Sequence, residues 1–149
     1  MVRRKPKYVY HGSPKRISEK FVTKIPRDLG KCKHNIRNGI YASSVRSKAI
    51  GMAVCGAKGV VSSGMGFDIG NKQKGVIYVG WPVQKYIYLY TFSSETFVRC
   101  PKNSTQFVSM KSVAPIKVEK LKTENYLKLV RKPSKKELGI FIKKYGVKK

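Results

Sequence analysis

Short runs of apolar residues, separated by glycine, proline and lysine, predict a chain with many short β-strands. Tyr8–Tyr10 stops at a Gly-Ser-Pro turn signal and predicts a first strand with His11 at its end. Gly39–Ala42 predicts a second strand. Gly75–Trp81 and Tyr86–Phe92 are rich in β-branched and aromatic residues, so they predict two central strands.

Helical spacing follows the second strand over about 45–55. One face of this predicted helix would carry Val45, Ala49, Met52 and Ala53, and Ser43 or Ser44 would cap its start.

The last third of the chain predicts further short elements. Thr105–Met110 and Val113–Leu121 alternate as half-buried strands do, and Glu124–Val130 and Lys135–Tyr145 have helical spacing, with Pro133–Ser134 as the final cap.

Two segments predict loops, and the whole pattern predicts one domain. Lys15–Lys33 is basic, and Gly56–Lys74 has the glycine and serine content of a mobile or partner-ordered loop. We therefore expect an α+β domain over residues 1–149, with a core at about 8–121 and a basic helical extension at about 122–149.

The charge of the chain is extreme, with 33 Lys and Arg against 7 Asp and Glu, for a formal net charge of +26. Such self-repulsion favours a polyanionic partner, which could be DNA, RNA or an acidic protein surface. Lysines outnumber arginines, which favours non-specific phosphate contact over base reading. The predicted polyanion-binding cations near the two ends are Arg3, Arg4, Lys5, Lys143, Lys144, Lys148 and Lys149.

Cys32, Cys55 and Cys100 are widely spaced and include no CxxC pair, so we expect reduced thiols and no metal site. The basic amino terminus lacks an apolar signal core, and the weakly polar stretch 49–70 is too irregular to span a bilayer. The expected location is inside a cell or within a virus particle.

An aromatic run at alternate positions allows two roles. Tyr86, Tyr88, Tyr90 and Phe92 share one face of a strand, and Lys85 flanks them. Strand alternation favours a core or interface face. Stacking on exposed bases is the alternative.

The segments YVYHGSP, GIYASSVRSKAIGMA and TQFVSMKSVAP together resemble the ADP-ribosyltransferase superfamily, in its diphtheria-toxin and poly(ADP-ribose) polymerase branch. The resemblance implies a split β-sheet core with short flanking helices. It also implies that His11 would hold the adenine-side ribose of NAD, that the Gly12 backbone would pair with the nicotinamide amide, and that Tyr41 would line the cleft. From the residues alone, strand packing is the ordinary role of Tyr41.

Three positions depart from the family pattern. Ala49 stands where the family has a nicotinamide-bonding serine, and Met52 where it has a stacking tyrosine. Gln106 occupies the position of the family's catalytic glutamate, whose charge stabilises the oxocarbenium-like ribose. Losing such pre-placed electrostatics costs roughly 2.7–4 kcal/mol of barrier.

The sequence therefore supports three hypotheses. The first is a non-catalytic ADP-ribosyltransferase-like protein that binds polyanions or neighbouring subunits in a large assembly, such as a nucleoprotein or a virus particle with this chain as a minor capsid protein, and that needs no cofactor. The second is an active mono-ADP-ribosyltransferase that uses NAD, with His11, Gly12, Tyr41 and Gln106 in its site, to modify nucleic acid or a protein bound to it. The third is a simple nucleic-acid-binding module.

Overall fold

The computed structural model describes residues 4–16, 39–65, 75–99 and 105–145. These ranges form a mixed α+β structure, as the sequence predicts. The strands are β1 (Tyr8–Ser13), β2 (Ile40–Ser43), β3 (Val60–Met65), β4 (Gly75–Gly80), β5 (Tyr86–Ser93), β6 (Phe97–Arg99), β7 (Gln106–Ser109), β8 (Lys117–Lys122) and β9 (Val130–Arg131). The helices are α1 (Arg46–Cys55), a 3-10 helix (Thr123–Leu129) and α2 (Lys135–Tyr145).

Six of these strands form an antiparallel sheet in the order β6-β7-β2-β1-β5-β8. β1 pairs with β5 at every residue from Tyr8 to Ser13, whereas β1 and β2 share the single registered pair Tyr10–Ser43. The ladder between β1 and β2 is therefore much shorter than the ladder between β1 and β5. A smaller sheet has the order β3-β4-β9, with β9 parallel to β4.

Apolar residues are buried on both faces of the large sheet. Along β5, Ile87 and Leu89 join a cluster with α1, whereas Tyr90 and Phe92 project to the other face. The cluster on the α1 side contains Ala49, Ile50, Ala53, Val54, Cys55, Ile77, Ile87, Leu89 and Val130. The opposite cluster contains Val9, Ile40, Ala42, Tyr90, Phe92, Phe97 and Phe107.

Helix α1 begins and ends within one residue of its predicted bounds, but its predicted apolar face is partly wrong. Ala49 and Ala53 are buried together with Ile50 and Val54, whereas Met52 is 50% exposed. Most of this helix is apolar, so spacing alone does not single out the buried face. Contact with the sheet decides it.

The predicted loop at 56–74 is wrong over Val60–Met65, which form strand β3 and pair with β4. The register shifts between Val60 and Ser62 and again between Ser62 and Ser63. These irregularities break the period-two alternation that would have indicated a strand. Residues 66–74, like residues 17–33 of the other predicted loop, lie outside the described residues.

Other strands differ from prediction in length and placement. β1 continues through His11 to Ser13, so His11 lies inside the strand and not at its end. β4 and β5 are both central, but they belong to different sheets. β6 and β9 were not predicted, because three and two residues are too few for a periodic signal.

The segment after β8 packs back onto the rest of the structure. Val130 of β9 is 5% exposed and lies in the α1 cluster, and Tyr126 and Leu127 of the 3-10 helix pack against that cluster. Helix α2 stacks Phe141 on Tyr78 of β4, with ring centroids 4.3 Å apart and planes 5° from parallel. None of the described helices is long and apolar enough to cross a membrane.

The predicted cap of α2 is confirmed at Ser134. Its hydroxyl accepts a hydrogen bond from the Glu137 amide at 3.2 Å, and its own amide donates to the Glu137 carboxylate at 2.9 Å. This is a reciprocal capping box. Arg131 of β9 also donates to both oxygens of Glu137, at 2.7 and 2.8 Å.

We expect Glu137→Gln to lower the free energy of unfolding by about 1 kcal/mol near neutral pH. Hydrogen bonds from Arg131 and from the Ser134 amide lower the pKa of Glu137 from 4.5 to about 2. A carboxyl group with a depressed folded-state pKa stabilises the fold above its unfolded pKa, and that stability is lost as the pH falls. The difference between the two proteins in chemical denaturation should therefore shrink from about pH 4.5 towards pH 2. A difference that stays constant over this range would contradict the assignment.

Candidate functional site

The strand order brings the three resemblance-based positions onto neighbouring strands, since β7, β2 and β1 carry Gln106, Tyr41 and His11 respectively. Gln106 pairs with Ser43, and Ser43 pairs with Tyr10. Directly paired residues share a face, so Gln106 and Tyr41 lie on the same face as Tyr10. His11 is one residue further along β1 and therefore projects to the opposite face.

The His11 ring contacts the backbone of β2. Its Nδ1 atom lies 2.7 Å from the carbonyl oxygen of Tyr41, and its ring centroid lies 6.5 Å from that of Tyr90. A carbonyl oxygen only accepts hydrogen bonds, so Nδ1 carries the hydrogen. In the neutral ring Nε2 is then the acceptor. His11 thus links β1 to β2 close to their registered pair Tyr10–Ser43.

Gly12 allows helix α1 to approach β1 closely. A Cβ atom at this position would overlap the carbonyl oxygen of Ala49 and would lie 3.0 Å from the Cβ of Ala53. Ala49 itself is 1% exposed. This close packing is sufficient to explain why residue 12 is a glycine.

The start of α1 meets the start of β7 in a small polar cluster. Lys48 Nζ donates to the Thr105 hydroxyl at 2.9 Å, and the Ser44 amide donates to the Thr105 carbonyl at 2.9 Å. Burial lowers the pKa of Lys48. The predicted serine cap of α1 is wrong: Val45 is the N-cap residue and has no side-chain cap bond. The Ser43 hydroxyl instead accepts from the Val45 amide at 3.0 Å, which forms a turn before the helix.

The described side chains around Gln106 do not provide the chemistry of a charged catalytic carboxylate. Gln106 is half-buried and neutral. The ionisable side chain described near it is the cationic Lys48, which bonds the preceding residue Thr105. Ala49 supplies only a buried methyl group, and Met52 supplies no ring. Among the described residues, this arrangement can donate and accept hydrogen bonds but offers no negative charge to a developing cation.

The predicted polyanion-binding cations that the structure describes are exposed and lie on separate elements. Lys5 Nζ donates to the Glu95 carbonyl at 3.3 Å, and the Arg4 carbonyl accepts from Arg99 at 3.2 Å, so this arm lies along the turn between β5 and β6. Lys143 and Lys144 lie in the last turn of α2. Arg3, Lys148 and Lys149 lie outside the described residues.

The structure divides the aromatic run of β5 between the two predicted roles. Tyr90 and Phe92 are completely buried, as core packing requires, whereas Tyr86 and Tyr88 are only half-buried. Their cross-strand partners on β8 are Lys122 and Lys120. The sequence alone did not single out these two lysines. Their alternation in KVEKLK places them on one face, but only the register with β5 shows that this face carries the tyrosines.

Within the described ranges, Cys55 is the one cysteine. Its thiol is free and buried, as predicted. Burial raises the pKa of its thiol to about 11, which makes it unreactive at neutral pH. Cys32 and Cys100 lie outside the described residues. Across the described ranges, no three metal-binding side chains come together.

We expect Gly12→Ala to destabilise the protein by about 1–3 kcal/mol or more, because the added methyl group must push α1 away from β1. Gly139→Ala is a suitable control, since a Cβ at that exposed position in α2 would meet nothing within 4 Å. That control should raise stability by about 0.5–1 kcal/mol through helix propensity. Urea unfolding followed by circular dichroism would measure both. Equal stability of Gly12→Ala and the wild type would rule out this close packing.

Comparisons of the chain with models of protein families, with curated proteins and with solved structures found no match in any of the three. The functional interpretation therefore depends on the residues and on their geometry.

Proposed function

We propose that this protein is a basic, non-catalytic polyanion-binding component of a larger assembly, built on an ADP-ribosyltransferase-like scaffold. The observation that carries the proposal is a neutral Gln106 at the position where that chemistry needs a carboxylate, in a chain with a net charge of +26.

The strand arrangement supports the scaffold part of the proposal. His11, Tyr41 and Gln106 come from distant parts of the sequence, yet their strands are neighbours in the order β1, β2, β7. β1 and β2 share the single registered pair Tyr10–Ser43, and a short ladder at this position supports a split-sheet scaffold. A fold alone does not imply its usual activity, because sites are lost while scaffolds persist.

The contacts around α1 support the absence of catalysis. Ala49 is covered by β1 and its methyl group cannot bond a carboxamide, while Met52 is half-exposed and offers no ring for stacking. The Lys48 ammonium is bonded to Thr105, next to Gln106. A cationic transition state at Gln106 would gain no charge stabilisation from these described neighbours.

The distribution of acids supports the polyanion part. In the described ranges Glu119 binds Arg46 and Lys117, and Glu137 binds Arg131, so these carboxylates serve internal ion pairs. The exposed cations of both terminal regions and of β8 remain far in excess of acids, since the whole chain has 33 cations against 7. Phosphates are the natural counterions for such a surface.

One observation favours the enzymatic alternative. The His11 tautomer set by the Tyr41 carbonyl presents Nε2 as an acceptor, which is the group that a ribose hydroxyl would donate to. Saturable release of nicotinamide from NAD by the native chain, abolished in His11→Ala, would establish this alternative and overturn the non-catalytic proposal.

We expect the purified chain to bind labelled DNA and RNA with little sequence preference and with steep salt dependence. The logarithm of the binding constant should fall linearly with the logarithm of salt concentration, by about 0.7–0.9 per phosphate contacted. Fluorescence anisotropy at several salt concentrations measures this slope, and a neutral polymer serves as the control. Binding that is insensitive to salt, or no binding at low salt, would contradict the proposal.

If the scaffold is ADP-ribosyltransferase-like, placing the residues of the family pattern at positions 49, 52 and 106 should produce NAD cleavage. The triple variant Ala49→Ser, Met52→Tyr, Gln106→Glu should cleave NAD to nicotinamide and ADP-ribose with water. The double variant that keeps Gln106 should be slower by about 100-fold or more, because it lacks the carboxylate. A folded triple variant that neither binds nor cleaves NAD would contradict the proposed ADP-ribosyltransferase-like scaffold. The polyanion-binding part of the proposal would still be judged by the salt-dependence measurement.

A further inference from the structure

Rings and cations form an exposed cluster on strands β5 and β8 and on the residue before β5. We name its members, Lys85, Tyr86, Tyr88, Lys120 and Lys122, the lysine–tyrosine ladder. We propose that this ladder binds single-stranded nucleic acid, with bases stacked on Tyr86 and Tyr88 and phosphates held by the three lysines. This inference rests on the proposed function and assigns it a partner and a surface.

The strand register builds the ladder. Tyr86 pairs with Lys122 and Tyr88 pairs with Lys120, so each ring has a lysine directly beside it on the same face. Alternate residues of a strand are about 6.4–6.8 Å apart, which is about twice the ~3.4 Å spacing of stacked bases. Successive rings therefore suit successive nucleotides of an extended, unstacked strand.

The rings and the cations are held close together. Lys120 Nζ lies 4.2 Å from the centroid of the Tyr86 ring, and Lys85 Nζ lies 5.5 Å from it. All three lysines are exposed, and both tyrosines are half-exposed. Because both ammoniums lie over the ring, a base that stacks on Tyr86 takes the place of an ammonium, which then contacts the adjoining phosphate. Non-specific single-strand binders combine rings and cations in this way.

The acids near this surface leave the face of the ladder positive. Glu119 is the acidic residue of β8, but alternation places it on the opposite face, where it binds Arg46 and Lys117. Glu124 lines a cleft with Lys85 and Lys122 at the Tyr86 end of the ladder. A nucleic acid strand would therefore lie along Tyr86 and Tyr88 on the ladder face, beside the cleft that contains the Glu124 carboxylate.

The rings favour a single strand over other polyanions. Bases of a duplex are stacked within the helix and cannot cover tyrosine rings, whereas an unpaired strand exposes the face of every base. β8 is an edge strand, and edge lysines also prevent unwanted pairing between sheets. That protective role does not require half-exposed rings beside the lysines.

The test uses the full chain and three labelled or competing probes: an oligothymidine strand, a DNA duplex and heparin. The double variant Tyr86→Leu, Tyr88→Leu should weaken oligothymidine binding by about tenfold or more per ring, and should leave heparin binding unchanged. Tyr86→Trp keeps a stacking ring and should keep the affinity. Circular dichroism and thermal unfolding confirm that each variant folds.

A matched pair of charge variants separates the ladder from general charge. The first double variant is Lys120→Gln with Lys122→Gln. The control double variant, Lys135→Gln with Lys136→Gln, removes the same charge from exposed positions at the start of α2. The first should weaken oligothymidine binding more than the control. Equal losses in the two pairs, or unchanged single-strand affinity in the tyrosine variant, would overturn the ladder while leaving polyanion binding intact. If the wild-type chain binds none of the three probes, the proposed function itself fails, and the ladder with it.

Discussion

The close approach of helix α1 to strand β1 is the contact on which most of the described structure depends. It requires a residue without a side chain at position 12, because the Ala49 carbonyl occupies the space of a Cβ atom. On its buried side α1 meets Ile87 and Leu89 of the large sheet, Ile77 of the small sheet and Val130 of β9. The helix therefore joins two sheets that share no strand, and its position fixes where Lys48 meets Thr105.

Charge is the opposing constraint on this fold. A net charge of +26 in 149 residues opposes compactness, so the carboxylates that form ion pairs in the described ranges have particular structural value. Glu119 ties the edge strand β8 to Arg46 of α1, and Glu137 ties α2 to Arg131 of β9. Both pairs secure peripheral elements to the centre. The other two described acids, Glu95 and Glu124, are exposed, and exposed lysines outnumber them.

The sequence was sufficient for elements whose signals are local. The serine cap of α2 at Ser134 and the aromatic run of β5 each depend on neighbouring residues. It was insufficient where a distant contact decides the outcome. Met52 belongs to an apolar helix whose buried face is chosen by the sheet, and β3 is recognised only through its partner β4. The two-residue β9 exists because β4 offers it an edge.

The same limit applies to the candidate sites. His11, Tyr41 and Gln106 were chosen through a resemblance, and the sequence could not tell that they occupy neighbouring strands with His11 on the face opposite to the other two. Lys120 and Lys122 were overlooked, because their proximity to the tyrosines is a matter of register between strands that are far apart in the chain.

The two faces of the sheet can serve different purposes for a physical reason. Strand alternation places Tyr41 and Gln106 on the α1 side, whereas Tyr86, Tyr88, Lys120 and Lys122 project to the other side. A substitution at Gln106 therefore changes the α1 side of the sheet without touching a side chain of the ladder. Side chains on the two faces can therefore vary independently of each other, provided that Gly12 keeps α1 in contact with β1.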